Sequence, residues 1–311
     1  MIFSRKFLRF RIRIAALAVH FAAWLQSGDK KKSKSKGAQF GAKMRTNYLA
    51  KNYLWAAEKV SPKKVTVETP ETIWQFWDNP TGKTTPEIVK ACLESAKKFT
   101  GNFDHKILNN STIGNYSDLP GYVFDRLKSG QMGYAHFADL LRLNLLKNHG
   151  GIWMDATLYI TDFVPKYIVD EDFFVFLIAK QARYSYSHSS TFMANCFIRA
   201  KKGSFLCEAW YEMCVEYWKN EAKALDYYQH QLMFKALAER NLTAKQLFEN
   251  MPHIPEDELS LFIGDNIVKK FDADEWEKIR TTSFLQKTTY RIPYRDDYSD
   301  TYFSKLCEGK I

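Results

Sequence analysis

The stretch that decides the fold is residues 138–157, which read ADLLRLNLLKNHGGIWMDAT. Leucines at the spacing of one helix face predict a helix over Tyr134–Asn148. A Gly-Gly pair ends that helix, and the apolar residues Ile152–Met154 predict a short buried strand. This strand delivers Asp155 to its carboxyl end, the edge at which ligands gather in α/β sheets.

Three polar side chains in this stretch are candidates for chemistry. Asp139 and Arg142 are three residues apart, so on a helix they share a face while the leucines take the opposite one. Asp155 can hold a divalent cation that bridges the two phosphates of a nucleotide sugar. Mg²⁺ or Mn²⁺ is expected, because both prefer oxygen ligands and substrate phosphates. A surface ion pair and an ordinary turn residue are the structural alternatives.

Strand and helix signals alternate on both sides of this stretch. We predict strands at Thr72–Trp77, His105–Leu108, Phe173–Ile178 and Phe192–Ile198, and helices at Pro86–Phe99, Ser204–Lys219 and Tyr227–Arg240. This alternation predicts an α/β domain with a mostly parallel central sheet and a helical C-terminal part.

Charge divides the chain into a basic arm and a balanced body. Residues 1–45 hold 12 of the 45 Lys and Arg residues and a single acidic residue, whereas residues 46–311 hold 33 basic and 34 acidic residues. A nucleic-acid enzyme spreads basic residues over its working face, so this distribution argues against a nucleic-acid partner. We predict an N-terminal arm over 1–45 and a folded domain over 46–311.

The arm has the composition of a membrane-surface segment. The uncharged run Ile14–Leu25 has 12 residues, which is shorter than the roughly 20 that a spanning helix needs. Its basic start and the Lys-rich stretch Lys30–Lys36 favour a helix in the headgroup layer of an anionic membrane. Gly28–Gly41 is predicted to be a flexible linker. A cleaved signal peptide and a disordered basic leader are the alternatives.

Cysteines, histidines and glycines exclude several classes of protein. The five Cys residues form no CxxC pair, and an odd number of scattered thiols favours a reducing compartment such as the cytosol. There is no HExxH motif and no regular Cys/His spacing, which argues against a zinc site. The lack of GxGxxG, P-loop and GxSxG motifs argues against a dinucleotide oxidoreductase, a P-loop kinase and an α/β-hydrolase.

The sequence resembles the capsular polysaccharide synthesis proteins, relatives of the DXD sugar-binding glycosyltransferases. The resemblance rests on Ala138-Asp139-x-x-Arg142 and on GGIWMDAT at Gly150–Thr157, with IWQFW at Ile73–Trp77 upstream and NCFIRA at Asn195–Ala200 downstream. It implies a GT-A fold, a Rossmann-type domain that binds a nucleotide-sugar donor, and retention of the anomeric configuration.

The same resemblance implies roles for single residues. Trp77 would stack on the base beside Phe76, Asp139 and Arg142 would hold donor-sugar hydroxyls, Trp153 would border the nucleotide, and Asp155 would face the ribose, the sugar and the metal. Lys287 lies in a Lys-x-Thr-like element and would contact phosphate, with a solvated surface lysine as the alternative. Asp139, Arg142 and Asp155 are the predicted catalytic residues.

The acidic motif departs from Asp-x-Asp, because it reads Asp155-Ala156-Thr157. The metal ligands would then be Asp155 and Thr157, with water or a distant acid such as Asp296, Asp297 or Asp300 completing the shell. Without an identifiable nucleophile, same-face attack is favoured, in which the leaving group takes the proton of the acceptor.

The predicted function is transfer of a hexose from a nucleotide donor, UDP-linked by preference, to a surface or capsular glycan. A lipid-linked acceptor would place the enzyme in the cytoplasm, peripheral at the inner face of the cell membrane. The stretch DYYQHQ at Asp226–Gln231 either reaches an acceptor sugar or packs in the core. A phosphosugar transferase of capsule synthesis and an inactive glycan-binding scaffold are the alternative functions.

Overall fold

The computed structural model describes residues 2–79, 83–178, 192–255, 264–292 and 298–311. The helices are α1 (Ile2–Ser27), α2 (Lys30–Ala57), α3 (Glu87–Lys98), α4 (Gly121–Lys128), α5 (Tyr134–His149), α6 (Lys166–Val169), α7 (Phe205–Asn220), α8 (Gln229–Arg240), α9 (Leu242–Asn250), α10 (Ala273–Thr282) and α11 (Tyr302–Cys307). The strands are β1 (Thr72–Phe76), β2 (Asp104–Leu108), β3 (Gly151–Met154), β4 (Leu158–Ile160), β5 (Phe173–Leu177), β6 (Met193–Ala200) and β7 (Leu285–Lys287). Two 3₁₀ helices lie at Ile113–Asn115 and Gly264–Val268.

The central sheet has the strand order β2-β1-β3-β6-β5. Strand β1 pairs in parallel with β2 and β3, whereas β6 runs antiparallel to both of its neighbours, β3 and β5. Four of these five strands therefore share one direction. The prediction of an α/β domain with a mostly parallel central sheet is confirmed, and the part of the chain after β6 is largely helical.

Helices pack on the sheet, and the buried apolar residues form two clusters. The larger cluster joins the strands to α5, α7 and α8, and its members include Trp74, Phe137, Trp210 and Phe234. The smaller cluster joins α3 to α10 and α11 around Tyr159 and Trp276. Helix α5 is buried on every side over Asp139–Leu146, so it is a central helix and its polar residues belong to the interior.

The glycine pair after α5 is required by its surroundings. Gly150 and Gly151 have φ angles of 71° and 103°, which L side chains rarely adopt. A Cβ atom on Gly151 would lie 2.1 Å from the carbonyl oxygen of Thr72, at the start of β1. The pair therefore turns the chain sharply from α5 into β3 and lets β3 lie directly against β1.

The N-terminal arm is a helical hairpin, and the prediction of a flexible linker over Gly28–Gly41 is wrong. Helix α2 runs unbroken through most of that segment and continues to Ala57, so residue 45 lies inside a helix. Among the described residues, none of the helices combines the length and the apolar composition that crossing a bilayer requires.

Local signals at the tip of the hairpin explain why the second helix forms. Gly28, with a φ angle of 64°, ends α1 in the manner of a C-terminal glycine. Asp29 then caps α2, because its carboxylate accepts a hydrogen bond from the backbone N–H of Lys32 at 2.9 Å. A negative charge at this end also offsets the unfavourable placement of lysines in the first turn.

The glycines of the supposed linker serve helix packing. Gly37 and Gly41 are four residues apart and share one face of α2. A Cβ atom on Gly37 would lie 2.7 Å from the carbonyl oxygen of Ala16, and one on Gly41 would lie 3.4 Å from the Ala16 Cβ. Because these glycines have no side chains, α1 can approach α2 closely. By composition alone, the same glycines indicate a flexible segment.

We predict that Gly151→Ala destabilises the protein far more than Gly130→Ala. Both glycines have positive φ angles, but a Cβ atom on Gly130 would meet nothing within 4 Å. The control therefore costs only the backbone strain, about 1–2 kcal/mol. Gly151→Ala adds a clash with the backbone of β1 and should cost several kcal/mol more, measured by urea unfolding. Equal losses in the two variants would contradict the close approach of β3 and β1.

Candidate functional site

A polar group lies at the edge of the sheet where β1 and β3 both end. Asp155 follows β3 directly, and its backbone N–H donates to the carbonyl oxygen of Cys196 at 2.8 Å. Because β6 is antiparallel to β3, the first residues of β6 lie beside the last residues of β3. This brings Asn195 next to the acidic turn, below helix α5.

Asp139 and Arg142 form a buried ion pair on α5. The guanidinium nitrogen Nη2 of Arg142 lies 3.4 Å from Oδ1 of Asp139, and the two residues are only 4% and 8% exposed. Asn195 donates from Nδ2 to the same carboxylate at 2.8 Å, and His136 Nδ1 lies 3.4 Å from Oδ2. The alternative of a surface ion pair is therefore wrong.

Arg142 connects α5 to the acidic turn after β3. Its Nη2 atom lies 3.4 Å from Oδ1 of Asp155, and its Nη1 atom donates to the backbone carbonyl of Asn195. The guanidinium carbon lies 5.1 Å from the centre of the Trp153 ring, and Trp153 donates from Nε1 to Asp155 Oδ1 at 2.9 Å. One cation thus contacts two carboxylates, an aromatic ring and the first residues of β6.

Lys287 reaches the other side of Asp155. Its strand β7 pairs antiparallel with β4, so Lys287 is opposite Leu158 and beside the acidic turn. The ammonium group donates to Oδ2 of Asp155 at 3.2 Å and to the Thr157 hydroxyl at 2.8 Å. Thr288 holds this pairing, because its backbone N–H and its hydroxyl each donate to the Thr157 carbonyl at 2.9 Å.

The charges of this group are set by burial and by its neighbours. Burial lowers the pKa of His230 to about 3, so this ring is neutral at pH 7. Burial alone would raise the pKa of Asp139, but the positive charge of Arg142 and the hydrogen bond with His136 oppose it, and the net shift is downward. Since His230 is neutral, Arg142 is the cation that keeps Asp139 ionised. Burial would likewise lower the pKa of Lys287, but Asp155 outweighs it, and the net shift is upward.

A model of the capsular polysaccharide synthesis protein family matches residues 26–306. The chain belongs to this family. The match confirms the resemblance found in the sequence, and it includes helix α2 as well as the sheet and the polar group.

Two proteins that are similar to parts of this chain carry the word glycosyltransferase in their names. "Glycosyltransferase afumC" of Aspergillus fumigatus (strain CBS 144.89 / FGSC A1163 / CEA10) is 21% identical over 182 residues, which cover 55% of this chain and 46% of the relative. This chain therefore spans about half the length of that relative. The solved structure of "PaToxG Glycosyltransferase" is 15% identical, with a TM-score of 0.40 over 78% of this chain and 93% of the other.

The structure brings together six of the residues that the family resemblance singles out. They are Asp139, Arg142, Trp153, Asp155, Thr157 and Lys287. The other two, Phe76 and Trp77, stand at the end of β1, at the same edge of the sheet, and make contacts of their own. Phe76 is buried in the core against Phe137, with ring centres 5.8 Å apart. Trp77 is half-buried, and its ring centre lies 5.2 Å from that of Tyr290. This places Trp77 near the segment that follows Lys287.

Sequence reasoning missed two members of the group. Asn195 and His136 both contact Asp139, yet neither was given a role. Asn195 begins the NCFIRA segment that the resemblance includes. Membership of that segment was the sequence signal that Asn195 could belong to the site. His136 is three residues before Asp139, the spacing of one helix face, and this was the signal for it.

The residues around Asp155 do not fit a divalent cation. In the described ranges, no group of three or more His, Cys, Asp or Glu side chains could hold a metal ion. The Lys287 ammonium lies between Asp155 and Thr157, the two predicted ligands, and Arg142 contacts the remaining Asp155 oxygen. Two adjacent positive charges would repel a cation that needs about six oxygen ligands.

Within the described ranges, the distant acids supply no further metal ligand beside Asp155. Asp300 pairs with Lys305 at 3.0 Å, and no contact of it with the acidic turn is found in those ranges. Asp296 and Asp297 lie outside the described residues. Binding of Mn²⁺ or Mg²⁺ stays a prediction.

Surface cavities are found away from this group. One, of about 360 Å³, is lined by Phe163, Phe284 and Arg280, and another, of about 430 Å³, lies beside Val67 and Phe103. Neither contains Asp139, Arg142, Asp155 or Lys287 in its lining. The candidate site is therefore chosen by its buried charges and not by these cavities.

We predict that Asp139→Asn lowers the free energy of unfolding by about 2 kcal/mol at pH 7. The folded state lowers the pKa of Asp139 from 3.8 to about 2, so the charged carboxylate stabilises the fold above pH 4. That contribution is lost as the pH falls through about 2. Urea unfolding of both proteins between pH 7 and pH 2 should show the difference shrinking.

The matched control is Asp125→Asn, which changes an exposed carboxylate on α4. It should alter stability by less than about 0.5 kcal/mol at any pH. A pH-independent loss in Asp139→Asn would contradict a stabilising charge and would indicate a packing defect instead.

Proposed function

We propose that this protein is a retaining glycosyltransferase of the GT-A type that moves a hexose from a nucleotide-sugar donor to a surface or capsular glycan. The observation that carries the proposal is the position of the polar group. Two carboxylates and two cations converge at the carboxyl edge of β1 and β3, the edge at which α/β sheets bind ligands. Family membership and the name of the curated relative support the coarser part of the proposal, a glycosyltransferase of capsular polysaccharide synthesis.

In this proposal the two cations receive the diphosphate of the donor. Breaking the bond between the sugar and the phosphate leaves an additional negative charge on the diphosphate. The Lys287 ammonium and the Arg142 guanidinium can stabilise that charge by charge-assisted hydrogen bonds. Lys287 is 27% exposed along its side chain, so a ligand can reach it, whereas Arg142 is held in place by three other groups.

The carboxylates are proposed to orient the donor sugar. Asp139 is an acceptor that is already fixed by Arg142, Asn195 and His136, which suits a group that holds hydroxyls in one geometry. Asp155 is fixed by Trp153 and by both cations, and it faces the position proposed for the diphosphate. Trp153 and Trp77 are proposed to border the nucleotide, which we infer to be UDP.

Both carboxylates are neutralised by cations, which makes each a poor nucleophile. We therefore propose same-face attack by an acceptor hydroxyl. In that step the bond from the anomeric carbon to the phosphate oxygen breaks, and the acceptor oxygen bonds to the same carbon. The acceptor proton passes to the departing phosphate oxygen. The anomeric configuration is retained.

The proposed location is the cytoplasm, at the inner face of the cell membrane. No disulfide joins the cysteines of the described residues, and Cys92, Cys207 and Cys214 are buried in the core. Burial raises the pKa of the Cys92 thiol to about 12, so it remains protonated and behaves as a core residue. Core thiols of this kind agree with a reducing compartment.

The testing experiment measures nucleotide release from UDP-, GDP- and CMP-sugars, in Mn²⁺, Mg²⁺ or chelator. We expect one UDP-sugar to be turned over, and we expect Asp155→Asn to slow that turnover by roughly 100-fold or more. The reason is that this change removes the partner that holds Lys287 and Arg142 in place. The chelator samples decide whether a metal takes part.

The control is again Asp125→Asn, which should keep the full rate. Release of nucleoside monophosphate instead of diphosphate would indicate a phosphosugar transferase. A third outcome is that the protein binds a donor but turns over none of them, and that Asp155→Asn binds the donor as well as the wild type does. This outcome would contradict the proposed site and favour a glycan-binding scaffold.

A further inference from the structure

Helix α1 carries a continuous exposed apolar face, here called the α1 stripe. Its members recur every three or four residues and are 42% to 65% exposed: Phe7, Phe10, Ile14, Leu17, Phe21, Trp24 and Leu25. The opposite face of α1 packs on α2 and buries Ile12 and Ala23. An apolar face of this length on a surface helix indicates a binding surface.

The charges around the stripe indicate what it binds. Arg11 and Arg13 are exposed next to it, and residues 1–45 hold 12 basic residues against one acidic residue. Exposed aromatic and aliphatic residues flanked by arginines suit the headgroup layer of a membrane with anionic lipids. A second copy of the chain is disfavoured, because joining two such arms would bring two strongly positive surfaces together.

Several contacts join the hairpin to residues 221–228 of the body. Arg9 on α1 donates to the carbonyl oxygen of Lys223 at 2.8 Å. Tyr48 and Tyr53 on α2 each donate to Oε1 of Glu221 at 2.8 Å. Arg45 pairs with Asp226 at 3.2 Å, between side chains that are about a quarter exposed. Both helices therefore hold the segment, and the hairpin is a fixed part of the domain.

Residues 221–228 also lie beside the polar group, through Tyr227. Tyr227 is 60% exposed, and its ring centre lies 6.1 Å from that of His136. His136 in turn contacts Asp139. A path of direct contacts thus leads from α1 through residues 223–227 to the carboxylate that is proposed to hold the donor sugar. Docking α1 on a membrane would therefore fix the position of Tyr227 relative to that membrane.

We propose that the α1 stripe docks the protein on an anionic lipid bilayer and that the hairpin presents the Tyr227 side of the site to an acceptor carried by a lipid of that bilayer. The docking stands on the exposed stripe and its charge. The acceptor class rests on the proposed function, because it requires a sugar-transferring site behind Tyr227.

The test is flotation of the full chain with vesicles of phosphatidylcholine and with vesicles containing 30% phosphatidylglycerol. We expect binding to the anionic vesicles, weakened at least tenfold by 0.5 M salt. The triple variant Phe10→Ser, Leu17→Ser and Phe21→Ser should reduce binding at least 100-fold. The pair Arg11→Gln and Arg13→Gln, which leaves the apolar stripe intact, should reduce binding to anionic vesicles at least tenfold.

A matched control removes three exposed apolar side chains elsewhere. Val67→Ser, Ile107→Ser and Leu242→Ser change residues that are 53%, 43% and 87% exposed outside the hairpin. This variant should bind vesicles as the wild type does. Circular dichroism and the thermal midpoint verify that every variant is folded.

The acceptor class is tested with membranes from the producing cells and radiolabelled donor. Label should partition into organic solvent in the wild type, and the triple variant should lose that product while keeping donor hydrolysis. Label that stays entirely in the aqueous phase would overturn the lipid-linked acceptor.

The docking is overturned by equal binding of the wild type and the triple variant, by equal binding to neutral and anionic vesicles, or by a dimer in sedimentation that the triple variant abolishes. Vesicle binding needs no donor, so its loss leaves the proposed function standing. Vesicle binding without donor turnover would instead remove the proposed function, and the acceptor class with it, and would leave the docking standing.

Discussion

The buried guanidinium of Arg142 is the interaction on which the site depends. It contacts Asp139 on α5, Asp155 after β3 and the carbonyl of Asn195 on β6, and so joins three elements at one edge of the sheet. Replacing Arg142 would leave the buried carboxylate of Asp139 without its cation, and an uncompensated buried charge of this kind costs about 3–5 kcal/mol. The geometry of the site and the packing of α5 are therefore coupled through one side chain.

Two backbone features bring these charges together. The glycine pair at 150–151 lets β3 lie against β1, and the short β4–β7 pairing carries Lys287 from the C-terminal part of the chain to the acidic turn. The helical hairpin adds a third constraint, because it holds residues 221–228 next to His136. Parts of the chain more than 100 residues apart thus meet at a single edge.

Much of the sheet could be predicted because its strands are short apolar runs between clear stop signals. The residues 138–157 predicted α5, β3 and the position of Asp155 correctly, since periodicity and the glycines agree there. Lys287 could not be placed from local pattern, because its role depends on a pairing across 130 residues of chain. The hairpin was missed because lysines and glycines indicate flexibility by composition, whereas Asp29 as a cap and Gly37 as a contact point act through geometry.

The most direct test of the central claim is a crystal structure of the protein with an intact nucleotide-sugar donor or a non-hydrolysable analogue. We predict diphosphate oxygens within hydrogen-bonding distance of Lys287 Nζ, with sugar hydroxyls at Asp139 and the nucleotide between Trp77 and Trp153. A donor bound at another edge of the sheet, with the contacts of Lys287 to Asp155 and Thr157 unchanged, would contradict the account.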